Sequence, residues 1–381
     1  MREDEGIDER VEVPPSPSRP LRLHPFAGVR LSPARVADPA SSRVFARPYR
    51  DAPDRLARWQ SNGELTHDAA PALYLHEFTA DGVTVRGLVG ALDLTTRAAS
   101  FADRAVLPHE AIHPGRADDL ATRMQHTALN PAPILLVHHG PAQLRESIAR
   151  VAAQPPDHQL TDRAGQHHRV WAIQEPAELS RIEAALASST LLIADGHHRY
   201  AAYLRLQQSH PGTGWDHGLA MVVDQDDTPF FLGAIHRSLP GVSVERVAAL
   251  ASAAGAAVRF TTRGTALASL RPGRWLTTDG ERWVVVDTTS APGHLSAVED
   301  LHALVIDRLE PRPSVGYHHS VADALSGLER REGPGVAMLL PAPDFELLDR
   351  TLHQKRLLPE KATSFQPKPS PGVLMRSIQP R

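Results

Sequence analysis

The apolar run "TLLIA" (Thr190 to Ala194) passes directly into "DGHHRYAAYLRL" (Asp195 to Leu206), and that junction constrains the fold more than any other feature of the chain. A short continuous apolar run reads as a buried strand, and the segment after it carries the composition of a helix. With only Asp-Gly between them, strand and helix must share a tight connection. The first N–H groups of such a helix lack intrahelical partners and carry the positive end of its dipole, which suits them to phosphate. Gly196 lets an anion approach the backbone, and Arg199 adds a planar fork matched to two phosphate oxygens. His197 and His198 can donate hydrogen bonds or exchange protons near neutral pH. Asp195 can ligate Mg²⁺ or take a proton from an alcohol. The alternative is that Asp195 only caps the helix, with the two histidines and Arg199 forming a solvated first turn.

The surrounding pattern mixes hairpins with strand–helix crossovers, which predicts an α+β fold rather than a regular doubly wound sheet. "ALYLHEF" and "VTVRGLVGALDL" are joined by Asp81-Gly82, and "RWLTT" and "RWVVVD" by a turn at Asp279-Gly280; both are hairpin signals. "ILLVHH" reads as a strand and "AQLRESIARVAAQ" as the helix after it. The acidic, Pro/Ser-rich stretch 1–20 is expected to be a disordered tail. Residues 21–240 are read as a mixed-sheet phosphate- or nucleotide-binding domain. Residues 241–381 are read as a second α+β domain whose tail loop is expected to return to the site. The acidic turn holding Asp224, Asp226 and Asp227 is read as a hairpin connection.

Composition excludes several classes of function. There is no cysteine, so any metal must be held by His, Asp or Glu. A net charge of -3 gives no global field for a polyanion or an anionic membrane, and no basic recognition helix is evident, so neither nucleic acid nor membrane is an expected partner. Without a signal-peptide core or a membrane-length apolar run, a cytoplasmic location is expected. Histidine is abundant, at 21 residues, and its pairs outside the junction are read as compositional drift. Oligomeric state is not legible.

"HEAIH" (His109 to His113) matches the H-E-x-x-H pattern of a zinc-protease helix, which would make the chain a zinc hydrolase. Pro114 and Gly115 argue against it, since they are expected to stop the helix that the pattern needs.

"IADGHHRYAAYLRL" resembles the signature of domain-of-unknown-function family 1015, in the superfamily of partition proteins, sulfiredoxin and free-serine kinases. Other segments match that family in the same order: "PFAGVR" at Pro25, "RPY" at Arg47, "LPHEAIHPG" at Leu107, "NPAPILLV" at Asn130, "AIHR" at Ala234 and "LPEKATSFQPKP" at Leu358. The resemblance implies a fold like that of partition proteins and sulfiredoxin, with Asp195 to Arg199 at the phosphate. It further implies a small-molecule phosphotransferase that moves a phosphoryl group from a nucleotide or pyrophosphate, with Mg²⁺, to an alcohol such as the hydroxyl of free serine. On this reading Asp195, Glu110 and His198 are catalytic, with Asp195 also the Mg²⁺ ligand and the His-Glu segment part of the site, which makes Glu110 a candidate general base or a further Mg²⁺ ligand and His109 a candidate phosphate donor. Gly196, His197, Arg199, His109, Arg237, Lys361 and Lys368 then bind phosphate. A non-catalytic nucleotide-binding switch is the alternative. The chain departs from the family pattern at Arg50, Ile112 and Leu120.

Overall fold

The computed structural model describes residues 11–46, 51–330 and 333–378, so Arg47 and Arg50 lie outside the described residues, as does the first half of the amino-terminal tail. The described chain forms two compact units. The first holds residues up to Phe230 together with those from Pro367 on, and the second is Phe231–Gln366. The sequence pattern places the division near Pro240, with everything beyond it in the second domain. Strand pairing decides otherwise. Phe231–Ala234 pairs antiparallel with Thr363–Gln366 inside the second unit. Met375–Ser377 pairs with Gly28–Leu31 and with Leu129–Asn130 inside the first.

Residues 11–20 are not a disordered tail. The backbones of Glu12 and Ile112 exchange N–H···O bonds of 3.0 and 2.9 Å, and Ser18 N–H donates to Thr96 O at 3.0 Å. The buried Tyr200 hydroxyl donates to Pro15 O at 2.6 Å. Pro14, Pro15 and Pro17 preset an extended backbone that can lie along a surface, and composition alone does not reveal that a surface awaits it. Ile112, a departure from the family pattern, is fully buried beneath this segment.

Nine strands make the main sheet of the first unit among the described residues. Eight of them run β1 Leu73–Ala80, β2 Val83–Asp93, β3 Val106–Leu107, β4 Ile134–His138, β5 His158–Thr161, β6 His167–Ile173, β7 Leu191–Asp195 and β8 His217–Asp224. Their spatial order is β3-β7-β4-β8-β2-β1-β6-β5, with Leu23–His24 added alongside β2. The hairpin expected at Asp81-Gly82 is present between β1 and β2, with both turn residues at positive φ (51° and 78°). That is the type I′ geometry that matches strand twist. Only the β3–β7 and β4–β8 pairs are parallel. This mixture makes the unit α+β.

Three helices of this unit are α1 Pro114–Thr127, α2 Ala142–Ala152 and α3 His197–Ser209, of which α1 and α3 bear on the site. The core beneath them gathers Leu75, Leu88, Ile134, Leu136, Ile193, Tyr200 and Tyr203, all almost wholly buried. Among the described residues no helix is long and apolar enough to cross a membrane.

The second unit contains a six-stranded antiparallel sheet in which Arg274–Thr278 and Trp283–Asp287 form the hairpin expected at Asp279-Gly280. Two of its helices, α4 Ala297–Leu304 and α5 Phe345–His353, matter below.

Candidate functional site

Strand β7 delivers Asp195 to the head of α3 through an irregularity: the register against β4 shifts between Ile193 and Asp195. Bulges of this kind re-aim side chains next to sites. Gly196 then turns the chain at φ +96°, a conformation that strains any side chain, and itself stands at the N-cap position with no side-chain cap bond. Asp195 is therefore not the helix cap.

Its carboxylate instead lies between two cations. Arg199 Nη2 donates to Oδ2 at 2.5 Å, and Lys368 Nζ donates to Oδ1. Burial alone would raise the Asp195 pKa, but the charges of Arg199 and Lys368 outweigh it and hold it down at about 2. Arg199 is anchored further by donation from Nη1 to Pro133 O at 2.6 Å. Lys368 arrives on the carboxy-terminal segment, which the turn before β6 grips: Gln166 Nε2 donates to Lys368 O at 3.0 Å, and Ser370 N–H donates to Gln166 Oε1 at 3.2 Å.

Asp195, Arg199 and Lys368 open onto a cavity of about 460 Å³ whose other walls include Phe45, Leu120, Met124, Pro133 and Pro369. Its shape is that of a small-molecule site, mostly apolar with a few converging polar groups. Leu120, another departure from the family pattern, makes part of that apolar wall. Arg123 also lines the cavity. The sequence reading missed it, because a lone arginine on an amphipathic helix carries no signal before its neighbours are known.

The segment of His109 to His113 packs against the first turn of α3 but does not line this cavity. Strands β3 and β7 run parallel, so both lead out of the sheet at the same end. His109 is fully buried and meets His197 edge-on at 4.7 Å between ring centroids. Burial pushes the His109 pKa down to about 4. Glu110 Oε1 lies 3.7 Å from His109 Nε2. His113 N–H donates to His198 Nε2 at 3.2 Å, which commits that ring nitrogen as an acceptor.

The zinc reading of this segment is corrected by its backbone. His113 has φ -84° and ψ 120°, and α1 begins only at Pro114. The two histidines therefore do not stand one helical turn apart, as the zinc-binding pattern demands. Pro114 opens a helix at its first position rather than stopping one, the place where its missing N–H costs nothing. Among the described residues no three His, Asp or Glu side chains gather as a metal-binding set.

Arg237 and Lys361 belong to the second unit. Arg237 is completely buried there, donating to Ile235 O and, at 3.0 Å, to Glu360 O, with its guanidinium over the Tyr317 ring. Lys361 follows Glu360 at φ +58°.

The sequence matches the family model described as "Protein of unknown function (DUF1015)" over residues 19–308. The chain belongs to that family. Among curated proteins the sequence has no match. Among solved structures it is similar to SbnI with C-terminal truncation from Staphylococcus aureus at 13% identity, covering 76% of this chain and 87% of that one with a TM-score of 0.45. A conserved hypothetical protein from Pyrococcus furiosus is 16% identical, covering 70% and 90%, with a TM-score of 0.41. A free serine kinase in complex with AMP is 15% identical, covering 71% and 88%, with a TM-score of 0.39. None of these likenesses bears on the activity of this chain.

Proposed function

We propose that the chain is a small-molecule phosphotransferase whose donor phosphates bind at the head of α3. The observation that carries this reading is the pairing of Arg199 and Lys368 on one carboxylate, at a helix N-terminus, on the wall of a small-molecule-sized cavity. In the free protein Asp195 is the internal anion for both cations. A phosphate entering the cavity competes for the same N–H donors, and Arg199 and Lys368 turn onto it while α3 contributes its dipole. Asp195, ionised at neutral pH, then has its oxygens released beside the transferring group.

At a pKa near 2 Asp195 is a weak base, so its part is electrostatic and positional rather than proton abstraction. One carboxylate together with donor phosphates is a sufficient protein contribution for Mg²⁺, which when bound would neutralise charge on the transferred group. Arg199 and Lys368 would stabilise the same charge from the protein side. Glu110 remains the candidate acceptor base. It would act from the neighbouring segment if the acceptor reaches past the first turn of α3. The motif resemblance makes free serine the first acceptor to test and a nucleotide or pyrophosphate the donor.

The experiment is incubation of the full chain with serine, Mg²⁺ and ATP, ADP or pyrophosphate in turn, with phosphoserine read by mass spectrometry. Product with any donor, abolished in Arg199→Ala, supports the proposal.

A second reading, a nucleotide-binding switch without turnover, is favoured by one observation: the cavity beside Asp195 is not lined by Glu110. Donor binding by calorimetry without product from any donor would select it.

A further inference from the structure

The second unit carries a cavity of about 390 Å³ of its own. Leu295, Val298, Leu340 and Leu347 supply apolar wall, and the polar side chains lining it are His294, Ser296, Asp344 and Arg350. Two of the four are committed to helix ends. Ser296 Oγ caps α4 by accepting from Glu299 N–H and donates to Glu299 Oε2 at 2.6 Å, while Asp344 Oδ1 caps α5 by accepting from Leu347 N–H at 2.7 Å. Among the described residues Arg350 has its one ion pair with the exposed Glu346, at 3.9 Å.

His294 is the one held from behind. Its Nδ1 lies 2.5 Å from Asp300 Oδ2, which also accepts from Thr288 Oγ1 at 2.6 Å, and Asp300 Oδ1 accepts from Leu295 N–H at 3.2 Å. Asp300 is 5% exposed and Thr288 fully buried, whereas the His294 side chain is 28% exposed. Asp300 thus holds the Nδ1 edge of the ring from behind, as the acceptor for Nδ1–H. That fixes the ring orientation and leaves Nε2 as the nitrogen that meets solvent. Nε2 stands beside Gly273, where a Cβ would come within 3.6 Å of it, and Gly273 is itself cavity wall. A buried carboxylate orienting an imidazole at the wall of a cavity is an arrangement for presenting Nε2 to a ligand.

We propose that this cavity binds a small monocarboxylic acid with an apolar body. On binding, the Asp300-supported His294 takes up a proton at Nε2 and donates it to the carboxylate, which also pairs with Arg350, while the body packs on Leu295, Val298, Leu340 and Leu347. The imidazolium so formed and Asp300 are together neutral, so Arg350 supplies the net charge that a single carboxylate matches. The site is independent of the phosphotransferase reading.

Benzoate is the probe, measured on the full chain by saturation-transfer difference NMR and by the Cε1–H resonance of His294 in ¹³C-histidine-labelled protein, assigned through His294→Gln. Benzoate should give a saturable shift of that resonance, and benzamide, its neutral isostere, should bind at least 5-fold more weakly. His294→Gln should lower benzoate affinity at least 5-fold, and Arg199→Ala should leave it unchanged. Should His294→Gln fail to fold, Leu347→Trp, which fills the cavity from another wall without touching Asp300, should abolish the shift. Absence of a saturable shift, equal binding of benzamide, or benzoate binding retained in Leu347→Trp would each overturn the proposal.

Discussion

Asp195→Asn keeps the side chain's size and removes only the charge between Arg199 and Lys368, so its consequences follow from the observed pairing. The folded protein holds the Asp195 pKa at about 2, against an ordinary value of 3.8. That gap corresponds to roughly 2 kcal/mol of extra stability for the ionised folded form. Because the pKa is depressed on folding, the contribution is fully present above the unfolded value of 3.8 and is lost as the pH falls through about 2. Urea unfolding should therefore show the variant less stable by roughly 2 kcal/mol, or about 4–8 °C in Tm for a unit of this size, with the same difference at pH 7 and pH 5. Below pH 4 the difference should narrow. Ligand binding should move the other way: with the internal anion gone, pyrophosphate should bind Asp195→Asn at least as tightly as the parent, while any turnover falls. A variant as stable as the parent at pH 7, or a deficit that grows on acidification, would refute the idea that Asp195 is the counter-ion of this site.

Arg199→Ala should weaken pyrophosphate binding by about 1.5–3 kcal/mol, the worth of a hydrogen bond to a charged group. Lysine should restore only part of it, because it lacks the fork; calorimetry on both variants checks this. Gly196→Ala places a Cβ 3.0 Å from Arg199 Nη2 and 3.1 Å from Ile134 Cγ2 at φ +96°, so it should cost about 1–3 kcal/mol in urea unfolding and weaken pyrophosphate binding as well. Gln166→Ala should speed hydrogen exchange at Ser370 and lower pyrophosphate affinity without changing the pKa of His76, which NMR can read in the same sample. Burial pushes His76 and His302 down to about 3 and His109 and His236 to about 4. These histidines are neutral when folded and protonate when unfolded, so stability should fall as the pH drops below about 6.5 toward those values. A flat melting temperature between pH 7 and pH 5 would contradict that set.

The buried histidines also show what composition conceals. His168 belongs to one of the pairs that composition reads as drift, yet its Nδ1 meets His76 Nε2 on β1 at 3.1 Å and its Nε2 meets Asp162 Oδ2 at 3.2 Å, and all three are buried. The pairing of β6 with β1 sets His168 against Phe78, beside His76, across strands separated by dozens of residues. No local pattern encodes that neighbourhood.

What the sequence determined by itself is local. The two Asp-Gly turns, the strand entering α3 and the glycine that turns it at positive φ are dictated by backbone sterics and hydrophobic period, which act over a few residues. The phosphate-suited junction and Lys368 as a candidate were legible for the same reason, one from its spacing and the other from a matched motif. Tertiary structure decided the rest. It brought Lys368 onto Asp195 across 173 positions of chain, made Asp195 a doubly paired anion rather than the helix cap that was its alternative reading, unwound the apparent zinc helix, and set Glu110 outside the cavity that Asp195 lines. Charge pairing and cavity walls are made by side chains from separate strands and helices, so they exist only once long-range strand pairing has fixed which segments are neighbours.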